Sequence, residues 1–183
     1  MKHSFFMQYR ILKKDEIVRL KEIDRGEIVE KLYHLQDGKL VLKDEFYDIK
    51  NEWWVNTEIE KNIFPRLYDL FERGGTVYGA FDDSKIAGMA ALESRFIGKD
   101  KDQLQLYILF VSKDYRKEGI GKKLMELSMD KARQLGAKKL YISATPSQNT
   151  VDFYLRLGCE LASEINPELF ELEPEDIHLE LKL

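Results

Sequence analysis

The sequence predicts a mixed α/β fold in which a mostly antiparallel central sheet is flanked by helices. Three observations carry this. Residues 104–111 form an apolar-rich run of strand length, followed by a polar turn, two glycines and a helix-periodic stretch ending at Gly136. Residues 76–81 and 85–93 read as two strands of a hairpin joined by Asp82-Asp83-Ser84. Residues 176–183 alternate Ile177, Leu179, Leu181 and Leu183 with polar residues, the pattern of a half-buried terminal strand.

The elements follow in order. Residues 8–12 open as a strand. Residues 14–24 are amphipathic, with Ile17, Val18, Leu20 and Ile23 as a helix face and Gly26 as its stop. Asp37-Gly38 stands between two apolar-rich runs, which signals a hairpin inside an insert spanning about residues 26–54. Trp53 and Trp54 follow as candidate walls of a pocket. Residues 55–71 carry Ile59, Ile63, Leu67 and Leu70 at helical spacing, with Pro65 set to kink or divide that helix. Residues 95–102 read as a polar loop. In the strand after it, Leu104, Leu106, Ile108 and Phe110 alternate with Gln105, Tyr107, Leu109 and Val111. Beyond Gly121, Leu124, Leu127, Ser128, Ala132 and Leu135 share a helix face. Residues 139–144 form another strand, and Thr145-Pro146-Ser147-Gln148 has the spacing of a capping box opening the next helix.

Bulk properties narrow the classes. A chain of 183 residues, 44% hydrophobic and 34% charged, suits one globular domain over residues 1–183. No apolar run approaches the roughly twenty residues of a membrane span, and the first ten residues lack a signal-peptide pattern, so the expectation is a cytoplasmic protein without a membrane partner. The single Cys159 with three scattered histidines offers neither a disulfide nor a zinc cluster, so no metal is expected. Net charge is −4, but residues 112–139 hold nine Lys/Arg against four acids, and residues 160–183 hold eight acids against Lys182 alone. The basic segment would attract phosphates, while no basic stripe interleaved with aromatics points to nucleic acid.

A helix entered through glycines presents unpaired N–H groups and the positive end of its dipole, an anion site. The dinucleotide fingerprint would need a glycine at Leu124. The nucleotide-triphosphate loop would need a glycine at Arg116 and a hydroxyl residue at Lys123. What fits is Arg116-Lys117-Glu118-Gly119-Ile120-Gly121 after a strand, with Phe153-Tyr154-Leu155-Arg156-Leu157-Gly158-Cys159 on a later helix. Together these resemble the acetyl-CoA loop and the Phe/Leu-Tyr-x-x-x-Gly-Phe signature of the GNAT superfamily of N-acetyltransferases, with Cys159 in place of the usual Phe.

The resemblance implies a GNAT-like fold and acetyl transfer from acetyl-CoA directly to a primary amine. It implies that the strand before the loop is bulged and splayed, with backbone contacts to the acetyl and pantetheine at Leu109, Phe110 and Val111, and phosphate contacts at Arg116, Lys117, Glu118, Gly119, Ile120, Gly121 and Lys122. Tyr154 is the expected general acid, a phenol that is neutral at pH 7. Either Ser147 or Asn149 would touch the pantetheine arm, and Asn149 is favoured. The histone-type base position falls on Gln105, which cannot take a proton, so base duty falls to Glu93, to Tyr107 through water, or to no side chain if the amine arrives neutral, with Glu93 the named candidate. Alternatives are a catalytically weak CoA-binding module and transfer of another acyl group. Residues 15–60 hold thirteen acids against seven Lys/Arg, compatible with a cationic small-molecule or peptide acceptor. A homodimer is also compatible.

Overall fold

The structure is a computed structural model that describes residues 7–49 and 59–183. Along the chain, β1 (Met7–Ile11) leads into a 3-10 helix (Lys14–Glu22), then β2 (Glu27–Gln36) and β3 (Lys39–Ile49). A π turn (Ile59–Ile63) runs into α1 (Phe64–Glu72), followed by β4 (Thr76–Asp82), β5 (Lys85–Ile97) and β6 (Gln103–Val111). A short 3-10 turn (Lys113–Tyr115) precedes α2 (Ile120–Gln134), β7 (Lys139–Ala144) and α3 (Gln148–Arg156). The chain ends with β8 (Glu160–Leu161), α4 (Pro167–Leu172) and β9 (Ile177–Lys182).

Seven strands form one sheet in the order β1-β4-β5-β6-β7-β9-β8, and β2-β3 form a second sheet. Within the large sheet only β6 and β7 run parallel. The sequence expectation of a mostly antiparallel sheet with a hairpin insert after the first helix holds. Asp37 (φ 50°) and Gly38 (φ 73°) are both left-handed, the backbone a two-residue hairpin turn with the strands' own twist requires.

Two apolar layers cover the sheet. On one face Leu124, Met125 and Ala132 of α2 and Val151 and Tyr154 of α3 pack with Leu92, Leu104, Leu106 and Leu140. On the other, Ile17, Leu20 and Ile23 meet Leu67 and Leu70 of α1 over Met89, Ala91 and Ile108. Each such fully buried aliphatic side chain contributes about 1.5–3 kcal/mol.

Several local expectations change. The first helix is 3-10, and its outward Val18 is exposed. On α2, Met125 is buried while Leu135 is exposed. Residues 95–97 continue β5, so the loop before β6 starts at Gly98. Pro65 divides a π turn from α1, at the start of a helix where its missing N–H has no partner to lose. The cap of α3 is Ser147, whose hydroxyl accepts from the Thr150 N–H. Pro146 lies outside the helix, its carbonyl accepting from the Tyr33 N–H at 2.8 Å. Trp53 and Trp54 lie outside the described residues.

Candidate functional site

The site begins with a defect in the sheet. β6 pairs with β7 only from Gln103↔Lys139 to Gln105↔Tyr141, although both strands continue beyond. On its other edge β6 stays paired with β5 as far as Gly88↔Val111. The two parallel strands therefore open into a V whose inner edge on β6 has no strand partner among the described residues.

The register on the β5 side shows why. Ala91 faces Ile108 while Leu92 faces Leu106, so Tyr107 is an extra residue, a bulge. Leu104 and Leu106 join the α2–α3 layer, but past the bulge Ile108 joins the layer of α1, with Tyr107 and Phe110 packed against it. Leu109 and Val111 return to the α2 side. The strict alternation read from the sequence is thus reversed halfway along the strand.

Beyond Val111 the chain forms a cradle. Ser112 donates its N–H to the Ala87 carbonyl, and Lys113 donates to the Asp24 carbonyl, both at 2.8 Å. Arg116 turns back, its guanidinium donating to the Val111 carbonyl (3.2 Å) and the Gly26 carbonyl (3.1 Å). Lys117 (φ 67°) and Gly119 (φ 82°) are left-handed, and Lys117 holds that conformation despite its Cβ, at a cost of order 1 kcal/mol. Gly119 caps α2 without any side-chain acceptor, and the first turn carries no acid. Ile120 is buried beneath the loop, while Lys117, Gly119, Lys122 and Lys123 are exposed. A Cβ on Gly119 would point into open space. A helix start with unpaired N–H groups, basic neighbours and open volume is a geometry that can take an anion such as phosphate.

On the opposite wall, Tyr154 is buried in the α2–α3 layer. Burial raises its phenol above the ordinary value, with Cys159 and Asp176 adding to the effect. Burial likewise pushes the Cys159 thiol up to about 12, so Cys159 is a packed neutral thiol. Asn149 projects from the first turn of α3 and donates to Glu27 Oε1 at 2.8 Å. Ser147 is occupied as the cap.

Glu93 leaves β5 beside the bulge. Its Oε1 accepts from Arg73 at 2.6 Å, and its Oε2 is buried with no hydrogen-bond partner among the described residues. Nearby, Arg66 lies over the Tyr107 ring at 4.2 Å, and burial pushes that phenol up to about 12. Sequence reasoning missed three charged groups that act on one another, one of them stacked on the open half of β6. Arg25 lies 3.8 Å from the Phe110 ring centroid, and burial, with Arg116, lowers its guanidinium to about 10. Asp176 stands before β9 and Glu173 after α4, both in a tail whose acidity looked like ordinary surface.

A cavity of about 500 Å³ lined by Lys99, Asp102, Gln103, Lys139 and Glu164 lies at the closed end of the V. No residue of the cradle lines it. Among the described residues no group of three or more His, Cys, Asp or Glu could hold a metal ion, and no helix is long and apolar enough to cross a membrane.

Residues 43–159 match the family model described as the acetyltransferase (GNAT) family. Among solved structures, the chain is similar to one from Bacillus anthracis assigned as a streptothricin acetyltransferase and solved with acetyl coenzyme A. That pair shares 16% identity and a TM-score of 0.71, over 99% of each chain. A nourseothricin acetyltransferase matches at 15% identity and a TM-score of 0.69, over 96% of this chain and 98% of its own. The PaiA N-acetyltransferase of Thermoplasma acidophilum, solved with coenzyme A, matches at 18% identity and 0.65, over 97% and 99%. Among curated proteins, none matches the sequence significantly.

Proposed function

The chain belongs to the GNAT acetyltransferase family, with acetyl-CoA as its cosubstrate, and from that premise we propose that it transfers the acetyl group directly to a primary amine. The observation that carries the reading is the V itself: an unpaired inner edge on β6 that leads into a left-handed, basic cradle. An extended pantetheine arm can pair with that edge as a strand would, with Leu109, Phe110 and Val111 as partners. Its pyrophosphate then meets the N–H groups from Lys117 to Lys122.

The chemistry follows from the walls. A β6 N–H aimed at the thioester oxygen is an oxyanion donor, worth about 3 kcal/mol. Tyr154 stays protonated at neutral pH because burial opposes the phenolate. The same desolvation raises a departing thiolate, as it raises Cys159, so the phenol can give its proton to the sulfur. Glu93, the base candidate named from the sequence, keeps a buried Oε2 with no hydrogen-bond partner among the described residues, which supports an acceptor that brings a positive charge. Gln105, buried at the histone-type base position, favours a second reading as a CoA-binding module with little turnover.

The test has two stages. Thermal-shift titration with acetyl-CoA, CoA and ATP should stabilise the protein with both CoA species and not with ATP, by about 2.7 kcal/mol at a hundredfold the Kd. Release of free CoA thiol is then followed with spermidine, a lysine peptide and streptothricin. CoA release coupled to amide formation supports the transfer, whereas binding without release with any amine leaves the CoA-binding module.

A further inference from the structure

We propose that Asp176 is the group that takes the proton from the acceptor amine, because it stands at the head of β9, the strand beyond β7, level with the thioester-binding end of β6. The proposal rests on the acetyl-transfer reading above. Its geometry follows from two registers. β6 and β7 run parallel with Gln105 beside Tyr141, and counting on from that last pair, across the gap where the strands part, puts Leu109 level with the residue just past Ala144. β7 and β9 are antiparallel and end on the pair Ala144↔Ile177, so the residue facing that level is Asp176. The bulge at Tyr107 displaces this level by one residue.

Three elements turn charge toward this carboxyl. From the end of α4, Glu173 hydrogen-bonds it. From the loop after the first 3-10 helix, Arg25, stacked on Phe110, acts on it from the β6 side, with Arg116 and Glu27 acting in turn on Arg25. From α3, Tyr154 feels it in return. Asp176 is thus coupled to both walls of the V. Burial first, then the charge and hydrogen bond of Glu173, hold it at about 7 against the pull of Arg25. A base near the working pH is ionised often enough, and basic enough, to be effective. Glu93, in contrast, has committed one oxygen to Arg73.

The step balances. The ammonium loses one proton to the Asp176 carboxylate, which later releases it to solvent. The nitrogen lone pair forms the C–N bond with the thioester carbonyl carbon as the C–S bond breaks. The sulfur takes the Tyr154 proton, and the proton the nitrogen sheds on becoming an amide returns to the Tyr154 oxygen.

The experiment compares pH profiles of kcat/KM using the fastest amine of the panel above, alongside ¹³C titration of the Asp carboxyls. Wild type should show an acid limb near pH 7 with Asp176 titrating there. Glu173→Gln should move both lower and Arg25→Met should move both higher, a pair of opposite shifts that a merely structural Asp176 would not give. Asp176→Asn should lower kcat at least a hundredfold with the acetyl-CoA Kd unchanged. Retention of kcat within threefold in Asp176→Asn, or a limb unmoved in both charge variants, overturns the proposal. If Asp176→Asn does not fold, the two charge variants decide alone. A wild type that binds acetyl-CoA yet acetylates no amine sinks the transfer reading itself, and this proposal with it.

Discussion

The two halves of β6 lie in one strand and obey different rules. At the closed end, Gln103–Gln105 are zipped to β5 or β7 and buried, and Leu104 is wholly enclosed. At the open end, Leu109–Val111 keep β5 but have no β7 partner, and are only partly buried. One inserted residue, Tyr107, separates the two. The closed half holds the fold together; the open half spends backbone hydrogen-bonding capacity that a ligand can use. Stability and binding are therefore expected to respond to different mutations only a few residues apart.

The sharpest test of that division is Gly119→Glu at the cradle fed by the open half. A carboxylate and a Cβ at φ 82° should weaken acetyl-CoA binding roughly a thousandfold, about 4 kcal/mol, in titration calorimetry. Leu104→Ala at the closed end should cost about 3 kcal/mol of unfolding free energy, while the surviving folded protein keeps its acetyl-CoA Kd. If both mutations reduced affinity equally, the two halves would not be separable. Tyr154→Phe should lower kcat about a hundredfold with cofactor affinity nearly unchanged. A turnover unchanged across neutral pH would remove the acid from that wall.

A smaller effect distinguishes carboxylates by their duties. Glu16 is held at about 2 by the Arg10 guanidinium and then by the Lys13 N–H, so the stability it confers is present above its ordinary value and is lost as pH falls toward 2. Asp176 is held at about 7, above its unfolded value, so the stability linked to it is present below about pH 4 and lost as pH rises through 7. Asp176→Asn should accordingly raise the melting temperature at pH 8 more than at pH 4.5. A carboxylate placed for folding alone would give the reverse.

Much of this was legible in the sequence, for identifiable reasons. The strand, glycine turn and helix around Arg116–Gly121 are local features, as are the Asp37-Gly38 hairpin and the helix bearing Tyr154. Each is written in neighbours along the chain. The resemblance implied a bulged, splayed strand, but the place of the bulge at Tyr107 was not legible, because an inserted residue in an apolar run leaves alternation on paper and breaks it only against the partner strand. The same holds for the length of β5, whose residues 95–97 are polar or mixed and are recruited by pairing Phe96 with Leu104. Capping by Ser147 rather than Thr145 is decided by Pro146, which meets Tyr33 of the hairpin. Asp176 and Arg25 gain significance only from the registers that bring distant loops to one level.

The unpaired inner edge also bears on self-association. Exposed strand edges are templates for other chains, and proteins commonly keep them short. The rims of the large sheet follow that practice: β8 has 2 residues and β1 has 5. The free edge of β6 is instead internal to the sheet, between β5 and β7, with α2 packed against the strand. An edge that opens inside its own sheet, and not on a rim, offers a neighbouring molecule no outer strand to pair with, so the opening proposed for a ligand arm is not an added aggregation edge.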